Sequence, residues 1–318
     1  MRILVFGLGA LGTVYSCLMK NSGHYVAGID QQAVIDVIGN HGVRVSGIWG
    51  EHTAWLDKLA INAAELADND FDLIILSVKA YETAEVAEKL QTLITPGTYL
   101  MLAQNGYGNF EAAARYINES NIILGRVIFG AETISPGNSK VTVIADDVML
   151  GSPPNIISPE ILQELARAFS EAGIPTRYTD EIMKYMWGKI IYNSALNPLG
   201  AILEVNYGKL AEMTETRQLM DKIIEEIFDV LSSLGQPTIW PDAAAYKEAF
   251  YGQLIPSTRN HHASMLQDIQ RGRRTEIDAL NGAVVKLGEQ LGIDTPVNRV
   301  ISELLKAREV SKITEKVS

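Results

Sequence analysis

The chain has 318 residues, more than one small hydrophobic core usually organises, and its 47% hydrophobic content supplies material for two. A net charge of -11, from 27 basic and 38 acidic residues, would repel a phosphate backbone on average and argues against nucleic acid as a partner. A single cysteine, Cys17, excludes an intramolecular disulfide, the five histidines show no metal-ligand spacing, and no apolar run approaches the roughly 20 residues of a membrane helix.

The first predicted element is "RILVF" (2–6), which runs directly into "FGLGALG" (6–12). Such a start suits either the apolar core of an export signal or the first strand and phosphate loop of a nucleotide-binding domain. A processing site wants small side chains, whereas Tyr15 stands just before Ser16 and Cys17 and "KNSGHYVAGID" continues as folded-domain sequence. The strand is therefore the preferred reading, and a cytoplasmic location is expected.

Gly7, Gly9 and Gly12 form G-x-G-x-x-G between that strand and a helical pattern, "ALGTVYSCLMK". The three glycines suit a tight turn, close backbone approach to a pyrophosphate, and close helix-strand packing, while the helix amino terminus favours an anion. Gly7, Leu8, Gly9, Ala10 and Gly12 are thus candidate cofactor-binding residues. The next strand, "YVAGID", ends in Asp30, eighteen positions after Gly12. There a carboxylate can accept hydrogen bonds from both ribose hydroxyls and would repel a 2′-phosphate, and the neighbouring Gln31 brings no cation, so NAD(H) is favoured over NADP(H). The plain alternative is an acidic residue capping a turn.

Short apolar runs and helical patterns keep alternating through "DLIILSV", "YETAEVAEKLQTLI" and "TYLMLAQ" to about Gly151, as in a mostly parallel sheet covered by crossover helices. "ILGRVIFGAETISPG" and "VTVIADDVMLGSPP" read as a short β-rich extension, and "SPEILQELARAFSEAG" as a helix capped at Ser158, opened by Pro159 and ended by Gly173. After "IPTRYT" the strand-like runs stop. The predicted architecture is α/β: a Rossmann-type, mostly parallel sheet domain over residues 1–179, followed by an all-helical domain over residues 180–318.

The second domain opens with "DEIMKYMWGKIIYNSALNPLGAIL", a long helix that Asn197-Pro198 is expected to kink or interrupt. Lys189, Asn193 and Asn197 fall at i, i+4 and i+8, in one row on a helix face, while Trp187, Ile190 and Ile191 turn towards the core. Asn is a poor helix former, so such a row suits either a cleft that binds an oxygen-rich ligand or a solvated face ending at Asn197. Further helical stretches follow at "ETRQLMDKIIEEIFDVLSSLG", "TEIDALNGAVVKLGEQLG" and "PVNRVISELLKAREV". In the second of these Glu276 opens a helix with Thr275 as its cap.

"GLGALG", "SVKAY", "QNGYGN", "MWGKIIYNSALNPL" and "SMLQDIQRGRRTEIDALNG" occur in that order, and together they resemble the ketopantoate reductases, with similarity from Arg2 to about Pro296. The glycine loop is shared with many dehydrogenases; the Lys-Asn-Asn helix combined with "SMLQDI" and "TEID" is more specific. The resemblance implies reduction of ketopantoate or another 2-oxo acid, with Lys189 as general acid and Glu276 at the substrate hydroxyl and the cofactor. It also implies that Asn193, Asn197 and Ser264 line the substrate pocket, and that Lys79 and Asn105 meet cofactor or substrate from the carboxyl edge of the sheet. That family commonly uses NADPH and an arginine after the second strand, where this chain has Gln31. NADP(H) therefore stays open through the resemblance, while Asp30 points to NAD(H).

The resulting expectation is an NAD(P)H-dependent 2-oxo-acid reductase in which an ammonium protonates the ketone oxygen as hydride arrives. Two alternatives remain: an NAD-dependent D-2-hydroxyacid dehydrogenase for another branched or aromatic 2-oxo acid, and a dinucleotide-binding sensor without turnover. No metal, nucleic-acid or membrane partner is expected, and the apolar helical domain is compatible with a homodimer.

Overall fold

The computed structural model describes residues 1–153 and 155–317, with side chains as far as residue 312; Pro154, which belongs to the expected β-rich stretch, and Ser318 lie outside the described residues. "RILVF" forms β1 (Arg2–Phe6), with Ile3, Leu4 and Val5 wholly buried. Burying each such side chain contributes about 1.5–3 kcal/mol, which is why a run apolar on both faces settles in a sheet centre. Helix α1 (Ala10–Asn21) leads to β2 (Tyr25–Ile29), α2 (Gln32–His41), β3 (Val43–Gly47), β4 (His52–Ala54), β5 (Lys58–Ala60) and β6 (Leu73–Leu76). Then come α3 (Thr83–Leu90), β7 (Tyr99–Leu102), α4 (Asn109–Ala113), β8 (Ile122–Arg126), β9 (Phe129–Ser135), β10 (Asn138–Ile144), β11 (Val148–Gly151), α5 (Pro159–Glu171) and β12 (Thr176–Tyr178).

The main sheet has the order β12-β11-β8-β7-β6-β1-β2-β5, and every neighbouring pair is parallel except β11 with β8. β1 lies between β2 and β6, so the strand order reverses there and opens a crevice at the carboxyl ends of β1 and β6. The expected β-rich extension is split. β8 and β11 join the main sheet, whereas β9 and β10 pair with β3 and β4 in a second, four-stranded sheet that packs on α1. Their β-rich composition marks these strands in the sequence but does not say which sheet they enter.

The packing divides the chain into two units, Met1–Gln104 with Asn109–Ile182, and Asn105–Gly108 with Met183–Ser318. The second unit contains α6 (Ile182–Leu203), α7 (Tyr207–Glu212), α8 (Thr214–Leu234), α9 (Ala243–Ala249), α10 (Ile255–Ser257), α11 (Ser264–Gln270), α12 (Asn281–Leu291) and α13 (Pro296–Val317), and among the described residues it has no strand.

Two expectations change here. α6 runs through Pro198 without interruption. Proline removes the N–H that would have bonded the carbonyl of Ser194, and the Asn281 side chain supplies a replacement donor at 3.0 Å. Glu276 does not open a helix: Ile277–Ala279 is a single 3-10 turn, and α12 begins only at Asn281.

Candidate active site

In the first unit the site is built on the glycine turn. Gly7 has φ +91°, and its N–H donates to the carbonyl of Ile29 at 2.9 Å. A Cβ on Gly12 would fall 1.8 Å from the Gly7 carbonyl oxygen, so only glycine lets α1 approach the turn this closely. A Cβ on Gly9, by contrast, would meet nothing within 4 Å, because that residue faces open space where a phosphate can approach the backbone. The first turn of α1, from Ala10, carries neither a side-chain cap nor an acidic residue. Its N–H groups and dipole therefore suit an anion, and these residues fit the pyrophosphate of a dinucleotide.

Asp30 lies half-buried at the end of β2 and is tied to this turn. One carboxylate oxygen accepts from the Leu8 N–H at 2.5 Å and the other from the Gln31 N–H at 2.7 Å. Each oxygen keeps a second lone pair for a ribose hydroxyl, so the turn-capping and ribose-binding readings are compatible. Gln31 itself is exposed and neutral.

Ser77, which sequence reasoning overlooked, donates its hydroxyl to the Gly7 carbonyl at 2.7 Å and joins the ends of β1 and β6. Lys79 follows on the same edge, half-buried, with its backbone N–H donated to Glu82 at 3.2 Å. A cavity lined by Tyr99, Tyr116, Asn121 and Ile161 lies at the opposite, amino edge of β7 and β8 and takes no part in this arrangement.

In the second unit α6 carries the expected row. Trp187, Ile190 and Ile191 are 1%, 2% and 0% exposed and form the core side of the helix. Lys189 is half-buried, while Asn193 and Asn197 are only 9% and 3% exposed, which excludes a solvated face. Among the described residues the Asn193 amide makes no hydrogen bond, and its polar atoms are not sealed in the core, so water or a ligand can reach them. Asn197 accepts from the Tyr207 hydroxyl at 2.5 Å. Ser264 starts α11, half-buried, and the preceding Ala263 packs on Gly200, where an added Cβ would come within 3.3 Å of the Ala263 Cβ. That contact brings Ser264 to the turn of α6 that follows Asn197.

The segment Asn105–Gly108 packs within this unit. Asn105 donates its side-chain N–H to Glu276 at 3.0 Å, and the Tyr107 N–H donates to the Ala279 carbonyl at 2.7 Å. Gly106 has φ +89°, and a Cβ there would sit 2.4 Å from the Ala279 carbonyl oxygen, so this Asn-Gly is a docking point as well as a turn. The Tyr107 ring lies 5.1 Å from that of Trp187. Glu276 is 7% exposed. The turn before it is held from α13 by Glu309, which accepts from both the N–H and the hydroxyl of Thr275.

A lysine, two buried amides and a buried carboxylate paired with an amide can bind an anion rich in oxygen and deliver a proton to it. Among the described residues no group of His, Cys, Asp and Glu could hold a metal ion, and no helix is long and apolar enough to cross a membrane.

Residues 3–155 match the family described as Ketopantoate reductase PanE/ApbA, and residues 181–309 match its C-terminal counterpart. A 2-dehydropantoate 2-reductase of Aquifex aeolicus (strain VF5) is 44% identical over 315 residues, covering 99% of both chains. Among solved structures, a ternary complex of D-mandelate dehydrogenase with NADH and anilino(oxo)acetate is similar with a TM-score of 0.89 at 27% identity, covering 98% of this chain and 99% of that one. A PanE/ApbA family ketopantoate reductase from Ralstonia eutropha JMP134 gives 0.86 at 25% identity, with the same coverage of each chain.

Proposed function

The chain belongs to the ketopantoate reductase family, and on that premise we propose that it reduces 2-dehydropantoate to pantoate with a reduced nicotinamide cofactor. The supporting observation is the row of Lys189, Asn193 and Asn197 on α6, in which two largely buried amides keep N–H groups that make no hydrogen bond among the described residues. NAD(P)H, when bound, supplies hydride to the carbonyl carbon. Lys189 donates its ammonium proton to the carbonyl oxygen as negative charge develops there, and the neutral amine regains a proton from solvent. Asn193 and Asn197 bind the oxygens of the acid, with Ser264 beside them. Glu276, oriented by Asn105, accepts from the nascent hydroxyl. Gly7, Leu8, Gly9, Ala10 and Gly12 hold the pyrophosphate, and Lys79 contributes from the end of β6.

NADH is the preferred donor in this reading. The Asp30 carboxylate, held in place by the Leu8 and Gln31 N–H groups, accepts from a 2′-hydroxyl and repels a 2′-phosphate, which Gln31 cannot neutralise.

A second reading, a D-2-hydroxyacid dehydrogenase for a branched or aromatic 2-oxo acid, is favoured by the similarity to D-mandelate dehydrogenase. Initial rates of NADH and NADPH oxidation with ketopantoate, benzoylformate and 2-oxoisovalerate separate the two. The highest kcat/KM with ketopantoate is the expected result; a preference for benzoylformate would favour the second reading, and binding of cofactor without turnover on any acid would make the protein a sensor.

A further inference from the structure

Tyr207 opens α7, and its ring is 3% exposed, enclosed edge-on by Tyr192 at 5.9 Å and by His261 at 5.3 Å between ring centroids. Its backbone is held as well, since the Tyr207 N–H donates to the His261 carbonyl at 3.1 Å. The phenol has one hydrogen-bond partner among the described residues, the side-chain oxygen of Asn197, to which it donates at 2.5 Å. The nine residues between them include Pro198 and the end of α6, so the pairing is made by the fold and not by helix spacing.

A primary amide has an acceptor end and a donor end. When the acceptor end of Asn197 is engaged, the two N–H bonds must point elsewhere. They make no hydrogen bond among the described residues, and the amide nitrogen stays open to water or a ligand although the side chain is only 3% exposed. The next polar group along the row, the Asn193 amide, is likewise without a partner. Reversing the Asn197 amide would leave the buried Tyr207 hydroxyl proton with no acceptor, so the observed orientation is the one the surroundings enforce.

We propose that Tyr207 is a positioning residue for the 2-oxo acid: by binding the oxygen of Asn197 it turns that side chain's N–H groups towards the substrate, favouring an end that offers acceptor oxygens over one that offers only donors. The proposal rests on the 2-oxo-acid reading given above and adds to it a determinant of how the acid's oxygens are bound. Burial, with Tyr192 close by, holds the phenol well above its ordinary range, so it remains a donor throughout the working pH. A residue that only filled space here would not need its hydroxyl.

The test is a double-mutant cycle on the full-length holoenzyme, using Tyr207→Phe, Asn197→Ala and the pair, with kcat and KM measured for the preferred 2-oxo acid and for NAD(P)H. Tyr207→Phe should raise KM for the 2-oxo acid about ten- to a hundredfold, leave KM for NAD(P)H unchanged, and have no further effect once Asn197 is Ala. Equal KM effects of Tyr207→Phe in both backgrounds would overturn the proposal, because the phenol would then act independently of Asn197. Asn197→Asp leaves the Tyr207 packing intact and covers the case in which the Phe variant does not fold. It should discriminate against the 2-oxo acid relative to its uncharged amide, and unchanged discrimination would likewise overturn the proposal. A wild-type enzyme inactive on every 2-oxo acid would instead remove the functional reading itself, and this inference with it.

Discussion

Asn281 donates its side-chain N–H to the Ser194 carbonyl oxygen at 3.0 Å, the atom that Pro198 deprives of its helical partner. The same nitrogen donates to Asn298 at 3.0 Å, and Asn298 in turn donates to Glu226 at 2.8 Å. A buried polar chain from α12 and α13 thus keeps α6 continuous where it carries Asn193 and Asn197. Asn281→Ala strands the Ser194 carbonyl in the core and should destabilise the protein by about 1–3 kcal/mol. Urea denaturation followed by helix circular dichroism reads this out; an unchanged midpoint would show that α6 tolerates the proline without help.

Lys189→Ala should lower kcat by about 10²–10⁴-fold while the affinity for reduced cofactor is retained. Lys189→Arg should be nearly as inactive, because a guanidinium does not release its proton. Substantial turnover in the Arg variant would mean that the residue supplies only charge.

The Asp30→Asn, Gln31→Arg double variant should shift the ratio of kcat/KM for NADPH over NADH upward by about tenfold or more, since a repelling carboxylate is replaced and a cation gained. No change in the ratio would place the ribose contact elsewhere.

Gly106→Ala puts a Cβ against the Ala279 carbonyl at a backbone angle that L-residues rarely adopt. It should cost about 1–3 kcal/mol of stability and pull Asn105 away from Glu276, lowering kcat/KM. Thermal unfolding and steady-state kinetics check the two effects separately.

Burial pushes the Cys17 thiol from its ordinary 9.0 up to about 12. Between those values the unfolded chain has lost the proton and the folded chain still holds it. The contribution of this group to stability is therefore complete below about pH 9 and lost as pH rises. Cys17 should resist thiol reagents at pH 8 in the native protein and react at once in denaturant; rapid native labelling would mean that the first core opens readily.

The glycine loop, the strands around it and the Lys189, Asn193, Asn197 row were legible from sequence because each is local: glycine spacing within six residues, short continuous apolar runs, and helical periodicity. The helix start at Glu276 was misread because Thr-Glu is a common cap signal, while the Glu309 carboxylate that engages Thr275 lies 34 residues further on. Pro198 could have prompted a search for a side-chain donor to Ser194, but nothing in its neighbourhood names Asn281, which lies 87 residues beyond Ser194.

By itself the sequence determined what each segment is and which chemical groups it can offer: a glycine turn, an acidic strand end, a lysine and two amides on one face. Only the tertiary structure decided how those groups are oriented, through Leu8 on Asp30, Tyr207 on Asn197 and Asn105 on Glu276. The physical reason is that a hydrogen bond is satisfied by whichever donor the packing brings within about 3 Å, and side chains up to 171 residues apart leave no periodic trace of that meeting in the chain.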